Sequence, residues 1–234
     1  MTRVAITTER AAAERIGRLA VQAGLVPVSL PCIRTVVSPP EILDPLRSAS
    51  ESADWLVFTS QRAVVAMWPS GGMPAYPGVA AVGSATGRVV MAAGGRVEVT
   101  GTGGAAALRS LLRGRLGGKT VVFPYARAAD PATVEMLRSE AGTVFAGPAY
   151  DTVPVPPAAD PVDAVIFGSP SALEGWLLTR DLSGVVVAAM GETTAAAVQA
   201  SGREPDVVPP MPGAAAVVAA LATYLNRLSE RSSR

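Results

Sequence analysis

The sequence predicts an α/β protein made of two small domains of similar design, each with helices on both faces of a parallel sheet. Three observations carry this expectation. Short apolar runs alternate with Ala- and Leu-rich helical stretches, the pattern of parallel βαβ units. The runs are apolar at consecutive positions, as expected for strands covered on both faces. The order of segments also repeats once along the chain. With 234 residues, 49% of them hydrophobic, the chain has material for one large core or two small ones.

The elements follow in order. Val4-Ala5-Ile6 is the first strand, and 9–23 the helical stretch after it. The segment LPCIRTVVSPP at 30–40 lacks helix formers and is punctuated by proline, so it reads as an extended connector. Trp55-Leu56-Val57-Phe58 is a buried strand that breaks into Thr59-Ser60-Gln61-Arg62 and a helix over 61–68. Val79–Val82 precedes a helix at 84–93, and Val97-Glu98-Val99 one at 104–116. AGPAYDTVPVPPAADP at 146–161 is a second extended connector, matched in character to the first. The strand-and-turn DAVIFGSPSAL follows at 163–173, and NRLSERSSR closes the sequence as a frayed helix end and tail.

The repeat is explicit. Asp54 and Asp163, Phe58 and Phe167, and Ser60 and Ser169 are each 109 apart. Gly83 and Gly191, like Thr86 and Thr194, are 108 apart. In the remaining segments Val4 matches Val121 and Arg10 matches Arg127, each 117 apart. The chain therefore reads A–B–A′–B′, and its two connectors are counterparts able to run side by side as a two-stranded bridge.

Composition removes several function classes. Twenty basic residues face nineteen acidic ones, so no charge excess points to nucleic acid or a membrane surface. Cys32 is the single cysteine and there is no histidine, which excludes an internal disulfide, a Ser-His-Asp triad and a His-ligated zinc. Any proton chemistry falls to Asp, Glu, Tyr, Lys or the substrate. No signal peptide and no apolar run of about 18 residues is evident, so the expectation is a cytoplasmic protein.

Five polar turns fall where strands meet helices: 7–10, 59–62, 83–86, 168–171 and 191–194. In open α/β sheets ligands sit beyond the C-terminal strand ends, where helix N-termini offer unpaired N–H groups. Ser and Thr there are also ordinary N-caps. Two lobes carrying several such turns would suit a polyanion. GTGGAA at 101–106 mimics a dinucleotide fingerprint, but its twin PMPGAA lacks the glycines and no acidic partner lies about 20 residues on.

The segments VFTSQRAV, AAVGSATGRVV, PAYDTVPVP, DAVIFGSPSAL and AAMGETTAAAV together resemble the uroporphyrinogen-III synthase family. The resemblance spans nearly the whole chain. It implies two intertwined Rossmann/flavodoxin-like parallel-sheet domains joined by a two-stranded β-ladder hinge. The expected boundaries are 1–34 with 155–234 for the first domain and 37–149 for the second. It implies an enzyme that cyclises hydroxymethylbilane, a linear tetrapyrrole with eight carboxylates, to uroporphyrinogen III, inverting ring D with loss of water. No metal or organic cofactor is implied.

Tyr150 matches the family's hinge tyrosine, thought to assist departure of the substrate hydroxyl. Thr194 and Ser169 match cleft positions of the first domain, and Ser60 and Thr86 those of the second. With the neighbouring turn residues, the expected substrate-binding set is Thr8, Arg10, Ser60, Gln61, Arg62, Ser84, Thr86, Arg127, Ser169, Ser171, Thr193 and Thr194. SQR stands where many relatives carry a Pro-Asn or similar pair, which puts Gln61 and Arg62 in question as ligands. A monomer and a transient contact with hydroxymethylbilane synthase are also expected. The alternatives are a tetrapyrrole-sensing or regulatory protein of the same fold, and a bilobal binder of another small anion. The lack of a winged-helix segment after the final helix favours the enzyme.

Overall fold

The computed structural model describes residues 1–102 and 104–232; Gly103, within the GTGGAA segment, lies outside them. In chain order the elements begin with β1 (Arg3–Ile6), α1 (Arg10–Gln22), β2 (Val26–Ser29) and β3 (Ile33–Val37). There follow α2 (Pro40–Ser50), β4 (Trp55–Phe58), α3 (Gln61–Met67), β5 (Gly78–Ala81), α4 (Ser84–Ala92) and β6 (Arg96–Thr100). Next are α5 (Gly104–Leu112), β7 (Thr120–Ala126), α6 (Ala132–Glu140) and β8 (Thr143–Pro154). The last are β9 (Ala164–Phe167), α7 (Pro170–Leu177), β10 (Val186–Ala189), α8 (Glu192–Ala200) and α9 (Ala214–Ser232).

These elements form two compact units, Met1–Arg34 with Val153–Arg234, and Thr35–Thr152. The first holds a four-stranded sheet in the order β10-β9-β1-β2, parallel throughout. The six-stranded sheet runs β3-β8-β7-β4-β5-β6, and its β8-β7-β4-β5-β6 pairings are parallel. The α/β class with parallel sheets expected from the sequence is what forms.

The repeat is visible in the hydrogen bonding. Trp55 lies opposite Val121 on the neighbouring strand, and Ala164 opposite Val4, which preserves the offsets of 109 and 117. Asp54 and Asp163 sit at the starts of β4 and β9 and clamp the adjacent strand. Asp54 Oδ2 accepts from Thr120 N at 2.8 Å, and Asp163 Oδ2 accepts from Arg3 N at 2.7 Å. The repeated spacing of Phe58 and Phe167 also has a packing cause. Both are fully buried, and each meets a tryptophan edge-on, Trp68 at 6.1 Å and Trp176 at 5.9 Å between ring centroids.

Strands β4, β5 and β9 are buried at every position, because helices cover both sheet faces. In the first unit α1 and α9 enclose Val4, Ile6 and Ile166 on one face, while α7 and α8 enclose Ala5, Val165 and Phe167 on the other. In the second, Leu56, Phe58 and Val122 face α2, α3 and α4, and Val57, Val121 and Phe123 face α5 and α6.

Both connectors begin as strands of the six-stranded sheet, where β3 lies beside β8. Ser38 N donates to Ala149 O at 3.0 Å and Val155 N donates to Cys32 O at 2.8 Å, two bonds related by the 117-residue offset. Beyond the first connector comes α2, a helix absent from the sequence reading. Pro40 opens it at a position whose N–H has no helical partner. Pro45 inside it removes a backbone bond, which burial of Leu43 and Leu46 offsets.

Candidate functional site

The five polar turns lie at the C-terminal ends of β1, β4, β5, β9 and β10. Their local geometry differs in a way that bears on ligand binding. Ser60 and Ser169 are N-caps: Ser60 Oγ accepts from Arg62 N at 3.1 Å and Ser169 Oγ from Ala172 N at 3.3 Å. At α1, α4 and α8 the cap residues are Glu9, Gly83 and Gly191, and no side chain caps the helix. The first-turn N–H groups of α4 and α8 thus lack an acceptor side chain at the cap.

In the first unit, the turns after β9 and β10 converge on an open cavity of about 440 Å³. Ser169, Thr193 and Thr194 line it, together with Met190, Pro209, Pro210 and Pro212. Thr8 stands next to this cavity: its Cγ2 lies 3.0 Å from where a Cβ on Gly168 would be. Ser171 is half-buried in the first turn of α7. Thr194 is 5% exposed, yet its hydroxyl makes no hydrogen bond among the described residues, so it is open to whatever enters the cavity. Arg10 is not part of this group. It points along α1, pairs with Glu14 at 3.1 Å, and lines a separate groove of about 690 Å³ between α1 and β2.

In the second unit the centre is a hydrogen-bonded pair. Tyr150 Oη donates to Ser60 Oγ at 2.8 Å. Tyr150 is 4% exposed and packs among Leu56, Phe58 and Val64. Ser60 is only half-buried, so the serine hydroxyl stands between the phenol and solvent. Because Ser60 Oγ already accepts from Tyr150 and from Arg62 N, its own proton is left to be donated outward. The short α3 that begins here is held at its other end by α2. Arg47 Nε donates to Met67 O at 2.8 Å and Arg47 Nη2 to Ala66 O at 3.1 Å.

Gln61 is exposed and Arg62 half-buried in the first turn of α3. Ser84 is exposed at the start of α4, whereas Thr86, two residues on, is 4% exposed. Arg127 donates its backbone N–H to Tyr150 O at 2.9 Å, and its exposed side chain lies 3.4 Å from Asp151. Arg127 is thereby tied to the strand carrying Tyr150, while its repeat twin Arg10 has no such tie among the described residues.

Sequence reasoning passed over two features of these sites. One is Ser60 as the partner of Tyr150, 90 residues away in the chain. The other is Glu192, which lines the 440 Å³ cavity and occupies the position of Ser84 in the repeat, 108 residues earlier. The Glu192–Ser84 mismatch in the aligned turns was a readable signal.

Parallel sheets with helices on both faces and polar turns at their C-terminal ends define an α/β protein of the doubly wound kind. A sequence model described as uroporphyrinogen-III synthase HemD matches residues 14–219, and the chain belongs to the uroporphyrinogen-III synthase family. No curated relative matches the sequence. Among solved structures, the chain is similar to a mutant uroporphyrinogen III synthase from the extremely thermophilic bacterium Thermus thermophilus. The TM-score is 0.63 and the identity 21%, covering 97% of this chain and 100% of that one. It is also similar to uroporphyrinogen-III synthetase from Helicobacter pylori, with a TM-score of 0.64 and 17% identity over 98% and 99% of the two chains. At these identities the likeness establishes the fold. Among the described residues no helix is long and apolar enough to cross a membrane.

Proposed function

We propose that this chain is a cyclising lyase that converts hydroxymethylbilane to uroporphyrinogen III, with inversion of ring D and release of one water. The observation that carries the reading is the family match over residues 14–219, which reaches into both units and includes Ser60, Thr86, Tyr150, Ser169 and Thr194. The uncapped first turn of α4 supports it, since it offers N–H groups to the substrate's carboxylates without requiring lysine clusters.

The Tyr150–Ser60 hydrogen bond supports a route for the first step. Ser60 is the group that touches the departing hydroxyl. It donates its proton and takes another from Tyr150, so the phenol acts through the serine and not directly on the substrate. The hydroxyl leaves as water as the pyrrole nitrogen's lone pair expels it, which gives an electrophilic azafulvene. The substituted α-carbon of ring D attacks the azafulvene methylene to give a spiro intermediate; a carbon–methylene bond at the spiro centre then breaks and re-forms at the free α-carbon of ring D, whose proton is lost to the Ser60–Tyr150 pair. Holding the linear substrate folded for that attack is the larger part of the task.

The remaining binding residues in this reading are Thr8, Ser84, Thr86, Arg127, Ser169, Ser171, Thr193 and Thr194, with Gln61 and Arg62 at the edge of the Ser60 turn. Arg10 stands apart from them in the first unit, paired with Glu14, and is dropped. A monomer in the cytoplasm, receiving substrate by transient contact with hydroxymethylbilane synthase, completes the proposal.

The test is closure of hydroxymethylbilane with isomer analysis. Uncatalysed closure gives the type I isomer. Type III product in proportion to added protein supports the proposal, and product that stays wholly type I at stoichiometric protein rejects it.

A further inference from the structure

A site built only for carboxylates should not present a carboxylate of its own. Yet Glu192 is, among the described residues, the one charged side chain lining the cavity beside α8. It is exposed, stands at the first position of α8, and shares the cavity with the unpartnered Thr194 hydroxyl. The same cavity is lined by apolar side chains, Met190 and Pro212 among them. The equivalent turn of the second unit carries Ser84, a neutral residue, in the same place.

We propose that this cavity takes the ring of a bound tetrapyrrole and not one of its carboxylates, with Glu192 accepting a hydrogen bond from a pyrrole N–H. The inference rests on the tetrapyrrole reading given above. The chemistry of the lining fits such a ring on each side. A pyrrole has an apolar face for the proline and methionine wall, and an N–H that is a donor only. It therefore needs an acceptor, which a carboxylate supplies and a helix N-terminus does not. Thr194, whose hydroxyl both donates and accepts, serves either a neighbouring N–H or a side-chain oxygen of the ligand. The two units are then unequal by design: the Ser84 turn receives anionic groups, and the Glu192 turn receives a donor.

Glu192 also has a purely structural use, because an acidic residue in the first turn favours the helix dipole. The experiment must separate the two. Uroporphyrinogen III binding is measured by tryptophan fluorescence, and KM and kcat with hydroxymethylbilane, for the wild type and for Glu192→Gln, Glu192→Ser and Glu192→Asp, alongside melting temperatures. A charge-assisted hydrogen bond to the ligand makes Glu192→Gln bind about tenfold more weakly and Glu192→Ser at least as weakly. The rise in KM exceeds any fall in kcat, and Glu192→Asp recovers most of the affinity. Affinity that is unchanged or tighter in Glu192→Gln, whether or not the melting temperature moves, overturns the assignment. If the wild type itself fails to cyclise hydroxymethylbilane, it is the underlying functional reading that fails, and this inference goes with it.

Discussion

Ser60→Ala should destabilise the second unit more than the simultaneous loss of Ser60 and the Tyr150 hydroxyl. In the native structure Ser60 Oγ does two things: it caps α3 through Arg62 N at 3.1 Å, and it accepts from Tyr150 Oη at 2.8 Å. Removing the cap costs about 1 kcal/mol. Removing the acceptor leaves the hydroxyl of a 4%-exposed tyrosine unpaired, a further ~1–3 kcal/mol. Ser60→Ala should therefore lose about 2–4 kcal/mol. Tyr150→Phe keeps the ring and the cap and gives up one hydrogen bond, about 1 kcal/mol. The double variant lacks both partners and strands neither, so it should lie near ~2 kcal/mol, at or above the stability of Ser60→Ala alone. Urea denaturation of the four proteins measures this directly. Strict additivity of the two single losses would show that the phenol does not depend on Ser60, and the proposed proton route would go with it. In turnover, each single change should cost at least about tenfold, below the usual range of general-acid assistance, and the double change little more than the worse single.

Three other expectations follow from particular contacts. A Cβ at Gly175, inside α7, would overlap the carbonyl oxygen of Cys32 and lie 2.7 Å from that of Val155, so Gly175→Ala should lower stability by about 1–3 kcal/mol or abolish folding; an unchanged urea midpoint would refute the close packing. The N–H of Thr120, then the Lys119 ammonium, hold the Asp54 carboxyl below its ordinary value of 3.8. A depressed folded-state value gives stability that is present above about pH 4 and lost as pH falls through the lowered value, so Asp54→Asn should flatten the acid limb of the stability–pH curve, and an unaltered limb would count against the clamp. Burial pushes the Cys32 thiol up to about 12 from 9.0. The unfolded chain ionises first as pH rises between those two values, which favours unfolding, so stability should fall across that window, and the native protein at about pH 8 should resist iodoacetamide until it is unfolded; rapid labelling of the folded protein would overturn this.

How much of this was legible before any coordinates depended on how local each cause is. The strand at Trp55–Phe58, its echo at Ala164–Phe167 and the serine caps that follow are local, and each was readable from a few consecutive residues. Helix α2 was not, because Pro40 and Pro45 read as breakers and what sustains them is tertiary. Leu43 and Leu46 are buried, and Arg47 reaches across to the end of α3. Arg10 and Arg127 look interchangeable in sequence, but only Arg127 has a neighbour such as Asp151 on an adjacent strand. Tyr150 is legible as a residue, while its burial and its reliance on Ser60 belong to the strand order, which sets β8 beside β7 and one strand away from β4, and could not be read from spacing.

The two repeat offsets carry one more piece of structural information. Segments of β1 and β7 match at 117, and those of β4 and β9 at 109, so the stretch from connector to following strand is eight residues shorter in the second copy. The missing piece is α2, which stands between β3 and β4 and has no counterpart between β8 and β9. In the second unit α2 contributes Leu43 and Leu46 to the core and anchors the helix that bears Gln61 and Arg62. In the first unit the segment after β8 carries no helix, and Arg180 pins it instead. Its Nη2 donates to Ala158 O at 2.8 Å and Asp160 O at 2.6 Å, while the guanidinium stacks 4.8 Å from the centre of the Trp176 ring. Trp176 in turn packs on Phe167, in the strand that leads into Ser169. The same strand-and-turn design is therefore steadied by a helix in one unit and by a cation–π clamp in the other. That difference in support goes with a difference in the turns themselves, one presenting Ser60 backed by a phenol and the other a cavity with Glu192 at its wall.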